Sequence, residues 1–120
     1  LPTLSTMLDQ PLTHSFVPGK SEGTTILKLE GPLTLSTIFG FQNEFRSHTP
    51  QVMIVDLSES PYMDSAGLGL LMNYYVSAES HGRKLLLAGA NERILSLLEM
   101  TKVHKVLKTF PNVEAAEASL

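Results

Sequence analysis

Residues 52–72 read VMIVDLSESPYMDSAGLGLLM, and this stretch decides the fold. Val52-Met53-Ile54-Val55 is a short apolar run with β-branched residues, which suits a strand buried on both faces. Asp56 is expected to end it. Ser58, Glu59, Ser60 and Pro61 carry turn chemistry, and Pro61 cannot donate to a ladder, so the strand is over by that point. From Leu68 the apolar residues fall at Leu68, Leu71, Met72, Tyr75 and Val76, the stripe of a helix laid on a core. Asp64 and Ser65 therefore stand at a strand-to-helix junction, and the helix is expected to begin within about two residues of Ser65. Either residue can cap it, accepting a hydrogen bond from the unpaired amides of the first turn.

Working outward on the N-terminal side, residues 1–11 show neither helical nor strand period and are read as an arm, with residues 12–120 as the single domain. Residues 13–17 are expected to form a short strand, and Pro18-Gly19-Lys20-Ser21-Glu22-Gly23 a turn that returns the chain antiparallel. Residues 24–30 alternate, with Thr25, Leu27 and Leu29 on one face and Ile26, Lys28 and Glu30 on the other. Gly31-Pro32 stops that strand. Thr34 is placed to cap a helix over residues 35–47, with Ile38, Phe41 and Phe45 inward, although Gly40 weakens a helix interior by about 1 kcal/mol relative to Ala.

On the C-terminal side, Ser80-His81-Gly82-Arg83 supplies a helix stop. Residues 84–88 (KLLLA) are a second buried run, and Asn91 caps a helix with Ile94, Leu97, Leu98 and Thr101 inward. Residues 103–110 predict a final strand, and Pro111-Asn112 opens a short terminal helix through Ala118. The order β-β-α-β-α-β-α-β-α implies an α/β domain with a mixed, mostly parallel sheet and about four helices.

Composition narrows the function classes. With 12 acidic and 9 basic side chains and no basic run, nothing marks a nucleic-acid face. The absence of cysteine removes disulfides, thiolate metal sites and thiol catalysis, and fits a reducing compartment such as the cytoplasm. No apolar run reaches the length of a bilayer span, so no membrane insertion is expected. Asp-Ser-Ala-Gly-Leu-Gly is not a nucleophile elbow, because Met63 stands where that motif needs its first glycine. His14, His48, His81 and His104 are dispersed with no ligand spacing, so no metal is assigned. Gly67 and Gly69 lack the third glycine or the lysine of a nucleotide-phosphate loop, and no cofactor is assigned either.

The motif helix has a second face, Ala66, Gly69, Leu70, Asn73 and Ser77, small and partly apolar where a solvated helix would carry Lys and Glu. It is either buried inside the domain or a docking surface, with Leu70 at a rim that tolerates charge in the free protein. Tyr62 and Met63 are either a core plug or a rim contact. Ser65 read from its position alone is a plain helix cap.

The order of elements, together with MIVDLS, SPYMDSAGLGLL, LLLAGA and ILSLLEMTKVHKVL, resembles a STAS domain, and specifically the bacterial anti-sigma factor antagonists, over about residues 13–118. The resemblance implies that the serine after the aspartate, Ser65, is phosphorylated. It implies that the unphosphorylated protein binds an anti-sigma factor that is also a serine kinase, freeing a sigma factor, and that a serine phosphatase resets it. The expected docking residues are Met63, Asp64, Ala66, Gly67, Gly69, Leu70 and Asn73. The module is expected to have no catalysis of its own and to be a monomer or weak dimer. The family often has Gly-x-Leu-Asp after its second strand, whereas Gly31-Pro32-Leu33-Thr34 places a hydroxyl in this position. A STAS subunit of a lipid-transport complex, with Ser65 only a cap, and a small-ligand or nucleotide sensor are the other readings.

Overall fold

A computed structural model describes residues 10–120, so residues 1–9 of the expected N-terminal arm lie outside the described residues. Strands β1 (Thr13–Pro18) and β2 (Thr24–Glu30) form the expected hairpin, followed by helices α1 (Leu35–Ile38) and α2 (Gln42–Ser47). Strand β3 (Val52–Glu59), helix α3 (Ser65–Ser80), strand β4 (Lys84–Ala88) and helix α4 (Glu92–Met100) come next. A single 3-10 turn (Val103–Lys105), strand β5 (Lys108–Phe110) and helix α5 (Val113–Ala118) complete the chain. The sheet runs in the order β1-β2-β3-β4-β5. Its first pair is antiparallel and the rest are parallel, as the order of elements predicts.

The apolar runs are continuous because both sheet faces are covered. Met53, Val55, Leu57, Leu85 and Leu87 face the main core under α1 to α4, while Val52, Ile54, Leu86 and Ala88 meet Ala116 of α5 on the other face. Successive strand residues point to opposite sides, so a strand between two helical layers needs apolar residues at every position.

Five expectations need correction. Strand β3 does not stop at Asp56: Asp56 pairs with Lys28 and Ala88, and Glu59 with Glu30 beyond a register shift. The alternation continues through polar residues, with Leu57 buried and Ser58 exposed, so a strand persists where apolar continuity ends. The expected helix over residues 35–47 is two helices, broken at Phe39-Gly40-Phe41, where Phe41 has non-helical φ −137° and ψ −6°. Ile38, Phe41 and Phe45 are nonetheless all buried. The expected strand over residues 103–110 is strand only from Lys108, because Lys102 turns through a left-handed φ of 62° into the 3-10 turn. In α4, Ile94 and Leu98 are buried, but Thr101 is the exposed C-cap and donates its hydroxyl to Leu97 O at 2.7 Å.

The fifth correction concerns α3. Its buried residues are Gly67, Leu68, Leu70, Leu71, Tyr74 and Ala78, whereas Val76 is 61% exposed. The inward stripe is thus rotated from the one expected. Tyr74 accounts for this: its ring stacks on Phe45 at 4.3 Å and its hydroxyl donates to His48 O at 2.7 Å. A buried phenol with a satisfied hydroxyl packs like phenylalanine, so Tyr74 sits in the core while Tyr75 is half-buried. Leu70, expected at a tolerant rim, is 4% exposed and belongs to the core.

Candidate functional site

The junction between β3 and α3 is built on the backbone of the segment after β2. Leu33 and Met63 form an isolated parallel bridge, in which Leu33 N donates to Tyr62 O at 3.1 Å and Asp64 N to Leu33 O at 3.2 Å. One turn earlier, Gly31 N donates to Glu59 O at 3.0 Å and the buried Ser60 hydroxyl donates to Gly31 O at 2.8 Å. The two loops are therefore laced together before either helix begins. Helix α3 then enters so close to Leu33 that a Cβ on Gly67 would stand 2.2 Å from Leu33 O. Only glycine fits there.

Asp64 supplies the cap. Its Oδ1 accepts from Gly67 N at 3.0 Å, closing the first turn of α3, and its Oδ2 accepts from Leu35 N at 3.0 Å, at the start of α1. One carboxylate thus anchors two helix N-termini, each of which favours a negative charge. Thr34, next to it, is buried; its amide donates to Thr37 Oγ1 at 2.9 Å and its hydroxyl lies 3.1 Å from Ser36 Oγ. Ser65 is the first residue of α3 and exposed, and the cap bond is made by Asp64. The choice between two capping residues falls to Asp64.

The other expected docking residues divide. Ala66 and Gly69 are half-buried and Asn73 is exposed on α3, and a Cβ on Gly69 would meet nothing within 4 Å. Met63, Gly67 and Leu70 are buried, so none of them offers a free surface: Met63 is a core plug, Gly67 a packing contact and Leu70 part of the core.

Two residues absent from the sequence-based set stand beside Asp64. Leu35 is 57% exposed and Phe39 66% exposed, and with Thr34, Ser36, Tyr62 and Asp64 they line an apolar concavity of about 490 Å³. The signal was available. Once Ile38, Phe41 and Phe45 are assigned inward, Leu35 and Phe39 remain as an apolar pair at i and i+4 outside the inward stripe. A separate concavity of about 540 Å³ near the C-terminal ends of β2 and β3 carries Glu30, Glu59, Ser58 and Ser60, with no histidine to activate a hydroxyl. Among the described residues, no three His, Asp or Glu side chains converge as a metal would need.

Comparison with known proteins bears on the whole arrangement. The STAS domain family profile matches residues 17–116. The chain is 35% identical over 63 residues to the anti-sigma-B factor antagonist of Listeria monocytogenes, covering 52% of this chain and 54% of that protein. The match thus spans about half the length of that relative. In structure the chain is similar to an anti-sigma factor antagonist from Mycobacterium paratuberculosis, with a TM-score of 0.81, 15% identity, and 99% and 97% of the two chains covered. It is also similar to the Bacillus cell fate determinant SpoIIAA in its phosphorylated form, with a TM-score of 0.69, 13% identity, and 90% and 100% covered. At these identities the structural likeness speaks for the fold. With the family profile spanning most of the described residues and the sheet and helices in place, the chain belongs to the STAS domain family.

Proposed function

We propose that this chain is an anti-sigma factor antagonist whose unphosphorylated form docks an anti-sigma factor through the surface around Ser65, and that phosphorylation of Ser65 blocks docking. The observation that carries the proposal is the division of labour between Asp64 and Ser65. Asp64 makes the cap bonds to Gly67 N and Leu35 N, which leaves the exposed Ser65 hydroxyl free for chemistry without cost to the helix. The likeness to antagonists in Listeria supports the role, and the phosphorylated SpoIIAA structure supports the modification.

The physics of the switch is local. A phosphate on Ser65 adds a charge of about −1.5 to −2 at a helix N-terminus, where the dipole favours it, beside Asp64, which repels it. The fold tolerates it because Ser65 is exposed. Docking does not, because the new charge must be desolvated beside the apolar surface of Leu35 and Phe39, at a cost of several kcal/mol. Ala66, Gly69 and Asn73 extend the same surface along α3, with Gly69 permitting close approach. The enzymes that add and remove the phosphate are an anti-sigma factor with serine kinase activity and a serine phosphatase.

The test is intact-protein mass before and after incubation with candidate anti-sigma kinases and ATP, using the native chain and Ser65→Ala. One phosphate on the native chain and none on the variant supports the proposal. Phosphate on both, or on neither with every anti-sigma kinase of the host, contradicts it.

A further inference from the structure

Away from Ser65, Arg46 of α2, Thr49, Arg83 and the α3 residues Asn73, Tyr74 and Ser77 line a concavity of about 240 Å³. We propose that it binds a small molecule through a phosphate or carboxylate group. The lining is rich in donors: two guanidinium groups, a side-chain amide and three hydroxyls, of which that of Tyr74 is already given to His48 O, with no Asp or Glu among the lining residues. Among the described residues the one ion pair is His14–Glu44, so neither guanidinium is neutralised by a carboxylate.

The nearby carbonyls are already engaged. His48 O accepts from the Tyr74 hydroxyl at 2.7 Å, Gly82 O from Gln51 Nε2 at 2.6 Å, and Ser77 O from the Ser80 hydroxyl at 2.8 Å. Donors outnumber free acceptors, which is the composition of an anion site. The guanidinium fork matches the oxygen geometry of both carboxylate and phosphate. The chain carries a formal net charge of −3, so its overall field does not draw anions and selection rests on this cluster. The volume falls below the roughly 300–1,000 Å³ of sites for drug-sized ligands, which points to a small ligand or a single headgroup. Asn73 lies eight residues along α3 from Ser65, or about 12 Å at 1.5 Å per residue, so the site is distinct from the phosphorylation position and shares only Asn73 with the proposed docking surface.

The experiment is a ¹H–¹⁵N NMR titration of the native chain with inorganic phosphate in one arm and succinate in another, at ionic strength held constant with chloride. The expected result is saturable shifts confined to Thr49, Asn73 with its side-chain amide, Ser77 and the Arg83 Nε–H. The arm that saturates at lower concentration identifies the preferred group. R46Q and R83Q should each weaken binding about tenfold, as expected for losing one charge-assisted contact, with the rest of the spectrum unchanged. Arg83 is half-buried, so if R83Q loses the native spectrum, R46Q at an exposed position carries the comparison. Shifts that grow linearly without saturation, that spread over the surface lysines and arginines, or that persist unchanged in R46Q would overturn the proposal.

Discussion

Replacing Asp64 by alanine tests whether one carboxylate holds two helix starts. The bond from Gly67 N is a helix cap, worth about 0.5–2 kcal/mol. The bond from Leu35 N is a second charge-assisted contact, worth about 1 kcal/mol at this partly exposed position. Together Asp64→Ala should cost about 1.5–3 kcal/mol. At about 4 °C per kcal/mol for a domain of this size, the thermal midpoint should fall by about 6–12 °C. Asp64→Asn keeps one acceptor but turns an NH₂ group toward the other amide, so it should lose about half as much. Ser65→Ala, which removes an exposed hydroxyl that is not the cap, should cost about 0.5 kcal/mol or less, a shift of about 2 °C. Circular dichroism melts, with urea unfolding as a check, measure all three. A Ser65→Ala midpoint as low as that of Asp64→Ala would show that Ser65 is the cap and would remove the basis for a free hydroxyl.

The two glycines of the motif should behave oppositely under urea unfolding. Gly67→Ala drives a Cβ against Leu33 O and should destabilise by about 1–3 kcal/mol or more, whereas Gly69→Ala meets open space and should stabilise by about 0.5–1 kcal/mol while weakening anti-sigma factor binding. Leu70→Glu should unfold the domain, since it buries an unpaired charge, whereas Phe39→Ser should leave the thermal midpoint within about 2 °C and abolish binding in calorimetry. Burial pushes the Tyr74 phenol above its ordinary value of 10.0, with the Arg83 guanidinium partly opposing. Between the unfolded and folded values the unfolded chain loses the proton first, so the contribution is complete below pH 10.0 and is lost as pH rises above it. Tyr74→Phe should flatten that part of the decline when urea midpoints are compared at pH 9 and pH 11.

The fold was legible because its decisive segments are strongly patterned. KLLLA and VMIV are short apolar runs bounded by turn residues, which suits strands covered on both faces, and the caps at Thr34, Asp64, Asn91 and Asn112 mark helix starts that the structure keeps. What escaped the sequence was rotational detail. On α3 the apolar residues Leu68, Leu70, Leu71, Met72, Tyr74, Tyr75 and Val76 cover more than one face, so periodicity alone does not say which face is inward. That choice is made by Phe45 and His48 O, both distant in sequence, which receive the ring and hydroxyl of Tyr74. The docking set misplaced Leu70 for the same reason. It also omitted Leu35 and Phe39, the apolar pair at i and i+4 that stays outside the stripe of Ile38, Phe41 and Phe45 and was not weighed as a surface. Ser65 itself was singled out by family resemblance, since its local chemistry equally suits a cap.

Calorimetric titration of one anti-sigma factor with the unphosphorylated chain, and with the same chain phosphorylated enzymatically at Ser65, tests the central claim most directly. A phosphate on Ser65, next in sequence to Asp64 of the Leu35 and Phe39 surface, should weaken binding by several kcal/mol, at least about 100-fold, with the thermal midpoint of the free protein nearly unchanged. Equal affinities for the two forms would contradict the account and leave Ser65 as an ordinary first-turn residue of α3.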